Sequence, residues 1–462
     1  MRIRFLPYLA LCGIVSSCAF AQTTTAVKPP TEMALADCGV DVRPQDLANG
    51  DYGGFISWPE LVTEMQGWAK HTDLVSVSSL GKTVEGRPIP LFHITGKAQT
   101  LVAKPEIFYL VGIHPREQAP TVCIVRFVNE LLNGYGHDGE ITHLLDTRTV
   151  WVVPMLNVDG KIYDFQHGNG TSKGADWRKN RRENGDGTYG IDLNRNFPVR
   201  WGGNRAYDKA WKTTTADTKG NIYEGPAPAS EPEVRAVMDF ISTHPLRIFL
   251  DLHSPLHDMR SPGQLSQSER DVFAGLLAKM QKTQKEPYPL QVPKAASEPL
   301  SETRGGDSGI SYPWAYYSTG AYSFNIEIGL KGRYPDPATV EQEYTDNIRG
   351  PLFTLLRECD GLKPASKGKL TFGASKWQGE AKAGERVVWM PQIKGDFDYV
   401  AAQSDDAMGV IPMEFHLAGS ASKGFPILIQ KEAKVGTHIP LTLYAWNHDR
   451  QMSVFKDTLV VR

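Results

Sequence analysis

The stretch that most constrains this chain is Leu110 to Pro120, LVGIHPREQAP. An apolar run from Ile107 to Ile113 halts at His114. Glu117 follows three residues later, and Pro120 opens a helix-like run from Thr121 to Leu132. A strand that ends on polar residues and passes straight into a helix is the building step of an α/β fold, and open α/β sheets bind ligands at the carboxyl ends of their strands. Imidazole and carboxylate are both zinc ligands. Alone, His-x-x-Glu is weak evidence, because surface His/Glu pairs are commonplace. The metal reading depends on what the rest of the chain adds.

The strand–helix alternation continues. Phe55 to Asp73 suits an amphipathic helix begun near Trp58-Pro59. Val75 to Leu80 and Ile89 to Ile94 read as a strand pair joined through Gly86-Arg87-Pro88. Thr149 to Val153 is a strand. Leu156 to Arg205 is rich in Gly, Asn, Asp and Arg and has little periodicity; so long an irregular segment in a compact domain is usually functional. Ser230 to Ser242 is a helix, with Ser230 and Glu233 spaced as a capping box. Arg247 to Leu252 is a strand that stops at His253. Gln264 to Lys285 is an amphipathic helix and Tyr322 to Ile328 a strand. Ala338 to Cys359 is one long helix, with Gly361 placed to end it. This order predicts an α/β fold with a mixed, largely parallel twisted sheet flanked by helices.

At 462 residues the chain exceeds one average domain. Composition shifts after Leu362-Lys363-Pro364. Short strand-like runs follow at Glu385 to Met390, Val410 to Leu417, Phe425 to Gln430, His438 to Trp446 and Met452 to Val461, which predicts a small C-terminal β-sandwich. The expected division is a signal peptide over 1–21, an N-terminal extension over 22–50, a catalytic domain over 51–362 and a β-sandwich over 363–462.

The N-terminus reads as a secretory signal: Arg2 and Arg4, a short apolar core from Phe5 to Val15, and Ala19-Phe20-Ala21 for cleavage. A rival reading is lipoprotein processing at Cys18, since Val15-Ser16-Ser17-Cys18 resembles a lipobox. No later stretch reads as a transmembrane helix, so an exported, periplasmic or secreted soluble protein is expected. Net charge is −2, which implies no strong pull toward nucleic acid or a membrane surface. Of five cysteines, Cys12 and Cys18 leave with the signal. Cys38 and Cys359, near the two ends of the enzyme domain, are the expected disulfide, and Cys123 is expected as a buried thiol.

Three stretches join the first. RIFLDLHS places His253 at a strand end. YSFNIEIG makes Glu327 the lone acid of an apolar or neutral strand, which is costly unless the carboxylate is paired, metal-linked or used. The third is WRKNRRENGDGTYGIDLNRNFP, from Trp177 to Pro198. Together with the lead-in LGKTVEGRPIP, the segment PMLNVDG and the helix start SEPE, these resemble the zinc carboxypeptidases of the M14 type over about residues 50 to 362. Each motif is weak alone; their common order makes the match specific.

The resemblance implies one zinc ion held by His114, Glu117 and His253, leaving a coordination site for water. It implies Glu327 as the general base that takes the water's proton and passes it to the leaving amine. Arg178 matches the arginine that steadies the oxyanion. Asn194 and Arg195 match the pair that grips the substrate's terminal carboxylate, with a fork geometry suited to it. Arg116 matches a further basic residue of the cleft. The bland alternatives are a core histidine at 253, solvated arginines at 178 and 195, a turn residue at 194 and a structural ion pair between Glu327 and one of those arginines. Each is reasonable alone, but their joint occurrence in the family's order is not.

Two departures stand out. The place of the family's mobile tyrosine falls near Gly305, and neither Tyr312, Tyr316 nor Tyr317 aligns with it. After His253 the chain continues Ser254-Pro255 where the family usually has Ser-Tyr. Tyr312 matches the specificity position, and an aromatic there argues against a simple basic preference. Arg304 and Asp307, if both face the pocket, would suit an acidic or zwitterionic end group such as diaminopimelate in cell-wall stem peptides.

The function expected is therefore a secreted zinc metallocarboxypeptidase, acting as a monomer on peptides with a free C-terminal carboxylate. The alternatives are an amidohydrolase or carboxypeptidase on peptidoglycan stem peptides, and a non-catalytic peptide- or glycan-binding pseudoenzyme.

Overall fold

The computed structural model describes residues 55–98, 103–168, 174–202, 213–292, 308–411 and 415–462. The expected signal peptide over 1–21, Cys18, Cys38, Arg304, Gly305 and Asp307 lie outside the described residues.

The first body opens with α1 (Trp58–Trp68). Ser57 caps it: its hydroxyl accepts from the Glu60 amide at 3.3 Å, and the Glu60 carboxylate accepts from the Ser57 amide at 2.9 Å. The hairpin β1 (Val75–Lys82) and β2 (Pro88–Thr95) follows, then β3 (Glu106–Val111), α2 (Gln118–Gly134), α3 (Gly139–Thr147), β4 (Thr149–Val153) and α4 (Val158–Gln166). After a long irregular stretch come α5 (Pro232–Thr243), β5 (Leu246–His253), β6 (Asp258–Arg260), α6 (Gln267–Gln281), β7 (Leu290–Gln291), α7 (Ser311–Thr319) and β8 (Tyr322–Glu327). The segment closes with α8 (Pro337–Glu343), a π turn over Tyr344–Ile348 and α9 (Arg349–Glu358).

The eight strands form one sheet, ordered β1-β2-β4-β3-β5-β8-β6-β7. Its centre, β4-β3-β5-β8, is parallel, and β1-β2, β2-β4 and β8-β6 are antiparallel. The central strands are almost entirely buried, with Ile107 to Val111, Ile248 to Leu250 and Phe324 at 0% exposure, as a sheet covered on both faces requires.

Several expectations need correction. The run Ala338 to Cys359 is helical throughout, α8, the π turn and α9 following one another without a break, but it is not α-helical throughout. Pro351 has no N–H, so the Asn347 carbonyl cannot receive an α-helical bond from it, and that carbonyl accepts from Gln284 Nε2 at 3.0 Å instead. The backbone relaxes through the π turn just before this point. The segment Leu156 to Arg205 holds a helix, α4, whose N-cap Asn157 accepts from the Gly160 amide at 2.9 Å. The capping box expected at Ser230 and Glu233 is not made. α5 starts from Glu231 without a side-chain cap, and Glu233 Oε1 accepts from the Val84 amide at 3.0 Å. α3, α7, β6 and β7 were not foreseen.

Beyond residue 365 the chain forms β9 (Ser366–Lys367), β10 (Thr371–Gln378), β11 (Arg386–Lys394), β12 (Tyr399–Ser404), β13 (Gly409–Val410), β14 (Phe415–Leu417), β15 (Phe425–Ile429), β16 (His438–Trp446) and β17 (Gln451–Val460). They make two sheets, β10-β11-β15-β13 and β14-β12-β16-β17-β9. The single strand expected over Val410 to Leu417 is split between the two sheets, and β10 and β12 are additional. Val387, Trp389, Ile427, Ile439 and Leu443 pack between the sheets. Tyr399, Ala401, Phe415 and Trp446 belong instead to the apolar core of the first body.

Cys123 is a buried free thiol. Cys359 is also free and buried among the described residues, its Sγ lying 3.7 Å from the Glu106 carbonyl; Cys38, its expected partner, lies outside them.

Candidate active site

β3, β5 and β8 lie side by side and parallel, so their carboxyl ends share one rim of the sheet. Past β3, Gly112 adopts φ +75°, and a Cβ there would press on Met155; this turn delivers His114 to the rim. Glu117 follows at the N-cap of α2. His253 is the last residue of β5, and Glu327, its register partner, the last of β8.

His114, Glu117 and His253 converge, with one ligand atom from each within 4.8 Å of the others. The two Nδ1 atoms are 3.1 Å apart. His114 Nδ1 lies 2.9 Å from Glu117 Oε1 and His253 Nδ1 3.0 Å from Glu117 Oε2. On the far side of each ring stands a carboxylate: Asp192 Oδ1 is 3.0 Å from His114 Nε2, and Asp251 Oδ2 is 3.0 Å from His253 Nε2. A ring proton at each Nε2 leaves a lone pair at each Nδ1. Two lone pairs and a carboxylate then face one point, an arrangement that calls for a cation. Burial disfavours charge on His253, yet Asp251 and Glu117 outweigh it and raise its pKa well above the ordinary imidazole value, so a cation at Nδ1 would displace a proton from that ring. Two imidazoles and one carboxylate, each ring oriented by a second carboxylate, are a donor set that fits zinc.

Arg178 lies against this cluster. Its Nε donates to Asp192 Oδ2 at 2.9 Å, and its Nη1 is 3.3 Å from His114 Nδ1 and 3.5 Å from Glu117 Oε1. Burial opposes ionisation of Asp192, but Arg178 and His114 hold its pKa well below the usual carboxylate range.

Asn194 and Arg195 stand in a single 3-10 turn over Leu193–Arg195, opened by Asp192, whose carboxylate accepts from the Asn194 amide at 3.0 Å. Asn194 Oδ1 accepts from the Ser311 amide at 3.0 Å, and its Nδ2 is 3.2 Å from His253 Nε2. Arg195 is buried, and its Nη1 donates to the Asn194 carbonyl at 2.7 Å. Gly309, at φ +70°, packs against the Arg195 backbone so closely that a Cβ would overlap it. Arg116 is 1% exposed and donates to the Asp176 carbonyl at 3.2 Å. Burial, with Arg178 and Arg333 nearby, lowers its pKa to about 10.

Glu327 is 8% exposed. Burial raises its pKa, with His253 and Arg260 pulling the other way. Its structural partner is neither Arg178 nor Arg195. Arg260 Nη1 lies 3.8 Å from Glu327 Oε1, while Arg260 Nε and Nη2 are held by Asp258 at 2.7 and 3.0 Å. The Leu256 amide, just past the Ser254-Pro255 bond, is 3.4 Å from Glu327 Oε2. Tyr312 is buried in α7 next to Ser311, and Ser311 Oγ donates to Asp251.

Asp192, Asp251, Asp258, Arg260 and Ser311 were missed in the sequence. The aspartates of IDLNR and LDLH lie two residues from identified positions, and this i, i+2 spacing is the one signal that was available for them.

The family model described as zinc carboxypeptidase matches residues 62–350. The chain is 30% identical over 292 residues to mast cell carboxypeptidase A of Rattus norvegicus, covering 61% of this chain and 64% of that one. It is 34% identical over 264 residues to carboxypeptidase B of Homo sapiens, covering 56% and 59%. The chain thus spans less than two thirds of the length of these curated relatives. The crystal structure of carboxypeptidase A from Helicoverpa armigera shares the fold, with a TM-score of 0.55, 20% identity and coverage of 72% and 80%.

Proposed function

Because the chain belongs to the zinc carboxypeptidase family, we propose that it is a metallocarboxypeptidase that removes C-terminal residues from peptides. One observation carries this reading: a zinc-fitting donor set beside a buried carboxylate, Glu327, at the shared rim of three parallel strands.

His114, Glu117 and His253 would hold the metal. Bound there, zinc would supply Lewis acidity to a carbonyl and to water near neutral pH. Glu327 takes the proton from the attacking water and delivers it to the leaving amine. Its burial supports this role, since a carboxylate with a raised pKa is a better proton carrier. Arg178, fixed by Asp192, offers N–H donors where the oxyanion develops. Asn194 and Arg195 receive the substrate's terminal carboxylate, which restricts cleavage to the chain end. Arg116 and Tyr312 line the cleft beyond.

Residues 51–362 form the catalytic part and 363–462 the accessory sandwich in this reading. The N-terminal pattern supports export with cleavage after Ala21, and the protein acts as a monomer. Among the described residues no helix is long and apolar enough to cross a membrane.

The test is mass spectrometry of a peptide pool incubated with the purified protein, alone, with a zinc chelator, and as Glu327→Gln. Stepwise loss of C-terminal residues that both controls abolish is expected. A zinc-loaded protein that cleaves nothing would leave a binding role as the better reading.

A further inference from the structure

α7 is a strut with one end in the active site and the other in the C-terminal sandwich. The helix has nine residues, so it spans about 14 Å. Ser311 to Ser318 are all buried. At its N-terminal end, the Ser311 amide holds Asn194 and the Ser311 hydroxyl holds Asp251, the carboxylate behind His253. Tyr312 follows directly.

The last carbonyls of any helix lack intrahelical partners and carry the negative end of its dipole. In α7 the sandwich supplies partners for two carbonyls at this end. Trp446 Nε1, at the end of β16, donates to the Tyr317 carbonyl at 3.2 Å. The Arg450 guanidinium, between β16 and β17, donates to the carbonyl of the C-cap Gly320, placing a cation at the dipole's negative end. Arg450 also pairs with buried Glu269 of α6 and lies over the Tyr322 ring of β8, 3.9 Å from its centroid. The Tyr316 hydroxyl is 3.1 Å from Glu269 and 3.0 Å from the Tyr399 hydroxyl of β12. Gly320 sits at φ +76° with Trp446 packed where a Cβ would be. A module mounted on a free tether would make none of these contacts.

We propose that the C-terminal sandwich is a positioning element of the active site: it completes the C-terminal cap of α7 and through that helix fixes Ser311, Asn194 and Tyr312. Arg450 and Trp446 are its two positioning residues. The proposal rests on the carboxypeptidase reading for its kinetic consequence but not for its structural one.

The test uses the full chain with Trp446→Phe, which deletes the indole N–H together with its five-membered ring and keeps an aromatic side chain, and Arg450→Lys, which keeps the charge and loses the fork. Ile439→Val, inside the sandwich core and away from α7, is the control for lost stability alone. Amide exchange over residues 314–320 and peptide hydrolysis are both measured. In Trp446→Phe and in the double variant, exchange over 314–320 should rise at least about tenfold. KM should rise by a similar factor with a smaller change in kcat, and the ranking of accepted C-terminal residues should shift. Ile439→Val should lower Tm and leave KM and the ranking as in the wild type. Wild-type exchange in the double variant overturns the proposal, and so does faster exchange with an unchanged KM. A wild-type protein that cleaves no peptide defeats the carboxypeptidase reading instead, and the exchange comparison then decides on its own whether the sandwich caps α7.

Discussion

His114 and His253 present their Nδ1 atoms to each other at 3.1 Å while a buried aspartate stands behind each ring. The carboxylates fix both tautomers, so the site is held ready for a cation by residues that do not touch it.

Asp192→Asn should therefore weaken zinc binding by about 10- to 100-fold, the usual cost of losing a carboxylate behind a histidine ligand. Titration against a competing chelator measures this directly. Unchanged affinity would mean that Asp192 serves only Arg178.

Glu327→Gln should keep its metal and lose activity by about 10²- to 10⁴-fold in kcat. Arg260 remains paired with Asp258 in the variant, so the fold should hold. Metal analysis and kcat on the same preparation check both halves; a variant within tenfold of wild type would remove Glu327 from the proton-carrier role.

Gly309→Ala should damage recognition of the terminal carboxylate. Its Cβ would overlap the Arg195 carbonyl, and φ +70° disfavours any side chain there. A displacement of about 1 Å at a positioning residue costs about 10²-fold. The loss should appear in kcat/KM for peptides with a free C-terminus, while C-terminally amidated peptides should be poor substrates for both proteins. Wild-type kinetics in the variant would show that Arg195 does not need this contact.

Stability should fall as pH rises through the neutral range, and Glu233 should account for part of the slope. Burial raises its carboxyl from 4.5 to about 8, against the opposing Val84 N–H. The unfolded chain gives up this proton near the lower value, the native chain only near the upper. Between them the native state binds the extra proton, so raising the pH favours unfolding; above about 8 the contribution is flat. Glu233→Gln keeps the acceptor and removes the titration. Its Tm should decline less than that of the wild type between about pH 5 and 8. Parallel Tm curves would contradict the buried, protonated carboxyl.

The central strands and the rim histidines were legible because apolar runs that stop on a polar residue say where a buried strand ends. What sequence alone could not supply was the order of strands in the sheet. Arg260 meets Glu327 only because β6 runs antiparallel beside β8, and that pairing leaves no local trace. The same holds for Glu233. Its spacing from Ser230 is that of a cap, but the Val84 amide, far away in sequence, competes for the carboxylate and wins. The π turn before Pro351 was hidden for the opposite reason: the apolar periodicity of the long helix runs on through it, although the backbone hydrogen bonding changes there.

His114 and His253 are 139 positions apart, and the sheet order β3-β5-β8 is what makes them neighbours. No fragment that ends before β5 contains both, and none that ends before β8 contains Glu327. The metal site should thus form late in folding, since it depends on pairings of high contact order. An ion added to the unfolded chain has no nucleus to organise, whereas one added to the finished sheet acts as a clamp across strands that must otherwise separate first. Zinc should accordingly slow unfolding far more than it speeds refolding.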